Sequence, residues 1–194
     1  NFVDSAYESS KLSEIAVVWY NGSEDSSESQ TSVQSFKQLD NANSVLEIKN
    51  FITNKSASGG TPMGDAMMKS YNLIKQAKND NRYVVFFTDG KPGYRSGDDD
   101  FNCMVANNAY NYAKKIKDKA DGNAVIYTVG YGLSDSDTFK WKLGDSGDSS
   151  AEGKHEHQKW DRGEGWISTL TTTSGKAFLS DYIATTGKDF TTST

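Results

Sequence analysis

A chain of 194 residues with a net charge of −5 and a pI of about 5.1 is long enough to bury a sizeable single core. It carries no basic stripe of the kind nucleic acid requires, and no apolar run approaches the length of a membrane span. Its single cysteine, Cys103, excludes an intrachain disulfide.

Phe2, Val3, Ala6 and Tyr7 recur at helical spacing, so residues 1–10 read as the end of a helix. Glu14 to Tyr20 is an apolar, β-rich strand that Asn21-Gly22 breaks. Residues 22–31, rich in Ser, Glu and Asp, read as an exposed loop. Thr31 to Leu39 predicts a shorter strand with Val33 and Phe36 inward. Residues 42–53 predict a helix with Val45, Leu46, Ile48, Phe51 and Ile52 inward. A small-residue loop leads to Pro62, which fits the first turn of a helix running to about Lys78. Arg82 to Thr88 is a continuous apolar strand. A helix follows over about 103–119, then a third buried strand from Asn123 to Val129. Residues 132–165 are rich in Gly, Asp and Ser and read as a long surface insertion. A last helix over 175–185 and a short strand from Asp189 to Thr192 complete the pattern. Strands alternating with helices predict an α/β fold: a Rossmann-like, doubly wound and mostly parallel sheet flanked by helices.

Two segments carry the chemistry, and they hold the only two prolines. One is Gly59-Gly60-Thr61-Pro62-Met63-Gly64-Asp65, opening a helix. The other is Tyr83 to Thr88 running into Asp89-Gly90-Lys91-Pro92. A carboxylate just past the carboxyl end of a buried parallel strand stands where open α/β sheets bind ligands. A hydroxyl from a neighbouring loop can share a hard divalent cation with it, because such cations take oxygen ligands. Each residue also has a plainer reading: Thr61 as a helix cap, Asp89 as a turn carboxylate beside Gly90. Asp65 suits the positive end of its helix.

GGTPMGDAM, then VVFFTDGKPGY, ANNAYNYAKKIKD and AVIYTVGYG, in this order and spacing, resemble a von Willebrand factor A domain. Within that family the sequence is most similar to surface and pilus-tip adhesins of Gram-positive bacteria. The resemblance covers nearly all of residues 1–194 as one domain, interrupted by the insertion at about 132–165. It implies a metal-ion-dependent adhesion site in which Thr61 and Asp89 ligate Mg²⁺, or Mn²⁺ or Ca²⁺. With it, Gly60, Lys91, Tyr94 and Arg95 are expected to form the rim that meets the partner; an ordinary solvated loop is the plainer reading of Lys91, Tyr94 and Arg95. The family's Asp-x-Ser-x-Ser loop, its first strand and its C-terminal helix have no counterpart here. Ser134-Asp135-Ser136-Asp137 has neither the spacing nor the position. The chain is thus expected to be a partial domain whose metal binding is weak or absent, with another chain as one source of the missing strand.

The resemblance implies a non-enzymatic adhesion module on the outside of a bacterial cell, binding an acidic group of a host matrix or cell-surface protein. It predicts neither nucleic acid nor membrane insertion. A metal-free structural domain in a surface fibre, and an intracellular docking subunit of a chelatase or AAA-type complex, remain the alternatives. No Gly-x-Gly-x-x-Gly, P-loop or Gly-x-Ser-x-Gly motif supports an enzyme. His155-Glu156-His157 has chelating spacing on a strand but no evident third ligand. Trp141, Trp160 and Trp166 in or beside the polar insertion either pin it to the body or form a surface.

Overall fold

The computed structural model describes residues 2–22, 31–56, 59–93, 99–144 and 158–191. The two most apolar strand pairs sit at its centre. β1 (Glu14–Trp19) and β2 (Ser32–Gln38) pair antiparallel, from Glu14 opposite Gln38 to Trp19 opposite Ser32, with an irregularity between Ile15 and Val17. β3 (Arg82–Thr88) and β4 (Ala124–Gly130) pair parallel in unbroken register, from Arg82 opposite Ala124 to Thr88 opposite Gly130. A parallel pair needs a crossover, and α4 (Asp99–Lys117) supplies it.

Helices cover these strands unevenly. α3 (Met63–Ile74) and α4 pack on one face, where Met63, Met67, Phe86, Val105 and Ile126 share a core with Val18 and Tyr20 beside it. Ala106, Ala109 and Ala113 on α4 are fully buried, and their small side chains allow close helix approach. α1 (Phe2–Ser9) and α2 (Ala42–Thr53) form a second cluster with β1, built on Val3, Leu39, Val45 and Ile48. The inward stripe of α2 is narrower than its composition suggests: Val45 and Ile48 are buried, whereas Leu46 and Ile52 are exposed. Val33 on β2 is likewise exposed rather than inward. The expected final strand is reduced to a single parallel bridge between Thr128 and Asp189. The amide of Thr128 donates to Lys188 O at 3.1 Å, and that of Phe190 to Thr128 O at 2.8 Å.

The expected continuous sheet is divided among the described residues. β1 and β3 run side by side without pairing to each other. Side chains tie their ends together. At the start, the Glu14 carboxylate accepts the amides of Lys78 at 2.8 Å and Asn79 at 3.4 Å. At the finish, the Tyr20 hydroxyl donates to the carbonyl of Phe87, and its ring stacks on Phe86 with centroids 5.4 Å apart. Both strands therefore point the same way.

The polar insertion is not wholly at the surface. β5 (Thr138–Trp141) pairs antiparallel with β8 (Thr171–Ser174), and β6 (Gln158–Asp161) pairs with β7 (Gly165–Ser168). Trp141 is 1% exposed. Its ring meets Phe178 and Tyr182 edge-on at 5.0 and 4.8 Å, and its indole N–H donates to Thr173 Oγ1 at 3.0 Å. Phe178 closes α5 (Gly175–Phe178), which continues as a π-helical turn over Leu179–Ile183. Lys117 reaches this end of the chain, donating to Tyr182 O at 3.2 Å and Ala184 O at 3.0 Å; burial lowers its pKa. Such donors satisfy carbonyls left unpaired at a helix end.

Candidate functional site

β3 ends in a turn that holds one carboxylate outward. Thr88 is buried, and its hydroxyl accepts the Gly90 amide at 3.2 Å while donating to Gly90 O at 3.1 Å. This local ring pins the turn and leaves Asp89 exposed at its apex.

The Thr61 loop is fastened to the same turn. Thr61 N–H donates to Gly93 O at 3.3 Å, and Gly93 N–H to Thr61 O at 3.2 Å, a small antiparallel bridge. Gly93 adopts φ +91°, a conformation that side chains disfavour. A side chain on Gly90 would overlap the Thr61 hydroxyl, so that hydroxyl rests against the peptide next to Asp89. Thr61 does not act as the cap of α3: the N-cap position is Pro62, without a side-chain capping bond. The loop after β1 closes the third side, since a Cβ on Gly59 would come within 2.8 Å of Gly22 Cα. Residues 21–22, 59–61 and 89–93 thus converge at the carboxyl edge of β1 and β3.

Sequence reasoning placed Thr61 and Asp89 together but missed what joins them. The Thr61–Gly93 bridge and the Gly22–Gly59 contact are backbone matters, and the Tyr20 hydroxyl reaches the Phe87 carbonyl across 67 residues of sequence. Glycines at three loop positions were the only visible signal. Burial pushes the Tyr20 phenol above its usual range; Thr88 opposes this and the Asp89 charge adds to it. Tyr20 is therefore a neutral hydroxyl donor.

Of the expected rim, Gly60 is half-buried beside Thr61. Lys91 turns toward the insertion, donating to Thr138 O at 2.6 Å, and packs near Gly175. Tyr94 and Arg95 lie outside the described residues, as does His155-Glu156-His157. Asp65 stands in the first turn of α3, where its charge suits the helix. In the Ser134–Asp137 loop, Asp137 accepts the Ser134 amide and hydroxyl, both at 2.7 Å. The backbone bond first, then the hydroxyl, hold its carboxyl below the usual range.

The donor set at the edge is one hydroxyl and one carboxylate. Among the described residues no group of three or more His, Cys, Asp or Glu side chains could hold a metal. The Thr61–Asp89 pair suits a hard cation by chemistry but fills only part of its shell, leaving the rest to water, further loops or a partner.

The sequence matches the von Willebrand factor type A domain over residues 1–153. The chain belongs to this family. Comparison with curated proteins gives no match. Among solved structures, the domain is similar to the pilus adhesin SpaC from Lactobacillus rhamnosus GG, with 13% identity and a TM-score of 0.55. That likeness covers 71% of this chain and 21% of the adhesin, so the chain spans about a fifth of the adhesin's length. At this identity the likeness speaks to the fold. The helical and strand pattern of residues 1–153 is thus that of a von Willebrand factor type A domain, with β6, β7, β8 and α5 lying beyond the matched region. No described helix is long and apolar enough to cross a membrane.

Proposed function

We propose that this von Willebrand factor type A domain is a non-enzymatic protein-binding module of the cell-surface adhesion type. Its contact centre is the edge where Thr61 and Asp89 meet. The Thr61 hydroxyl seated against Gly90, one residue from an exposed carboxylate, carries this reading. Thr61 and Asp89 would hold Mg²⁺, or Mn²⁺ in its place, and the cation would supply an electrophilic position for a carboxylate of the partner. A neutral hydroxyl ligand keeps that position electrophilic, and two ligands alone make the affinity weak. The partner class is an acidic site on a host matrix or cell-surface protein, and the setting is the exterior of a bacterial cell.

Titration of the chain with Mn²⁺, followed by calorimetry or the metal's paramagnetic effect on nearby amides, tests this directly. Weak binding centred on residues 60–61 and 89–90 is expected, and Asp89→Ala should abolish it. Binding that survives Asp89→Ala, or broadening elsewhere only, would overturn the assignment.

A further inference from the structure

We infer that Lys91 is a positioning residue: it fastens the Asp89 turn to β5, so that the insertion sets the geometry of the Thr61–Asp89 edge. The inference rests on the reading of that edge as a cation site, and the tie itself can be measured with no cation present.

The seat that receives Lys91 is built from local bonds. Ser134 and Asp137 close a small knot, in which the Asp137 amide donates to Ser134 O at 3.2 Å and the Asp137 carboxylate takes the Ser134 amide and hydroxyl. Asp137 O in turn accepts the Gly175 amide at 2.9 Å, and Thr138 stands opposite Ser174 in the β5–β8 register. The Thr138 carbonyl is therefore held from both sides before the Lys91 ammonium donates to it at 2.6 Å. Of the groups that hold the Asp137 carboxyl below its usual range, the Ser134 amide comes first, the Ser134 hydroxyl next and the Lys91 charge last, so the ammonium sits near an opposite charge.

The stem of Lys91 is seated as well. A Cβ on Gly175 would come within 3.3 Å of Lys91 Cβ and 3.5 Å of Lys91 Cα, so the backbone of the turn rests against the first residue of α5. The end of β3 is tied to the entry of the insertion, because the Thr88 carbonyl accepts the Tyr131 amide at 2.8 Å. β5 is itself well anchored. Phe139 and Trp141 are buried in the aromatic core, and the alternate residue Lys140 pairs with Asp99 of α4 at 3.0 Å.

Lys91 stands midway along the turn between Asp89 and Gly93, and Gly93 is the residue bridged to Thr61. A displacement of β5 therefore bears on both oxygen donors at once. The ammonium is also directed to Thr138 O, so the carboxylate two residues away keeps its charge for a cation. By linkage, a cation held at the edge and order at the start of β5 favour each other.

The test compares Lys91→Met, which keeps the stem and removes the donor, with Lys91→Arg, which keeps a donor and the charge. Lys140→Met removes the same charge from a neighbouring exposed position and serves as the control. In EDTA, amide hydrogen exchange at Thr61, Gly90, Gly93 and Gly175 should quicken about three- to tenfold in Lys91→Met, the range of one net hydrogen bond. Lys91→Arg should restore it, Lys140→Met should leave it unchanged, and Thr128 on β4 should not respond in any variant. Mn²⁺ affinity should fall at least threefold in Lys91→Met and recover in Lys91→Arg. Loss of a positive charge beside Asp89 would by itself raise that affinity, so the direction separates positioning from simple repulsion. Unchanged exchange in Lys91→Met, or tighter Mn²⁺ binding, would overturn the inference. An unmodified chain that binds no Mn²⁺ would remove the cation reading instead, and the exchange comparison in EDTA would then decide the tie alone.

Discussion

The packing around Trp141 and the outer face of β3 are opposite solutions to the same problem of covering aromatic residues. Phe139, Trp141, Phe178 and Tyr182 meet one another at ring distances of 4.8 to 6.4 Å, and the indole N–H has its acceptor. On β3, Phe86 is 4% exposed and the next residue, Phe87, is 62% exposed. The difference lies in partners, since both regions have the residues to form a core. β5 finds β8 and α5 within the same chain, whereas the outer face of β3, where Tyr83 meets the ring of Tyr127 on β4, is covered by no described helix. The insertion and its helix therefore close over their own aromatic residues, whereas Phe87 stays open beneath the Thr61–Asp89 edge.

The largest test of this contrast is Trp141→Ala, which removes a fully buried ring and strands the Thr173 hydroxyl. A loss of about 3–5 kcal/mol is expected in denaturant unfolding; a loss under about 1 kcal/mol would show that the aromatic cluster does not anchor the insertion. Gly90→Ala should cost about 1–3 kcal/mol, because the added methyl overlaps the Thr61 hydroxyl. It should also abolish Mn²⁺ broadening at residues 60–61, and retained broadening would mean that the hydroxyl is not a ligand. Phe87→Thr should fall within about 0.5 kcal/mol, as expected for a surface position, measured in the same unfolding assay. A cost near that of Trp141→Ala would mean that Phe87 is covered in solution.

Much of this was legible in the sequence because the signals were local. VVFFTDG announces a buried strand and a carboxylate turn, GGTPMGD announces a loop and helix start, and the structure brings the two together. The stretch 132–165 misled because its composition is polar, while among its described residues Leu133, Phe139 and Trp141 turn inward, too few to stand out. Val33 and Leu46 misled in the opposite sense: apolar residues predicted inward lie on faces that no described element covers. Lys91 reads as a rim cation from its place beside Asp89, yet Thr138 is 47 residues away in sequence, and that contact has no local signature. The division between β1 and β3 was foreshadowed only as a strand without a counterpart. The side chains that tie β1 to β3, Glu14 and Tyr20, could not be read from any motif.

One feature of α4 gives the molecule its own clock. Cys103, the only cysteine, is fully buried where α4 meets the end of β5; its sulfur accepts the Lys142 amide at 3.3 Å, and neighbouring Asn107 donates to Lys142 O at 2.9 Å. A thiol reagent can reach it only when that junction parts. The rate of labelling in the unmodified chain therefore counts the opening of β5 from α4, with no engineered probe and no other sulfhydryl to confuse the signal.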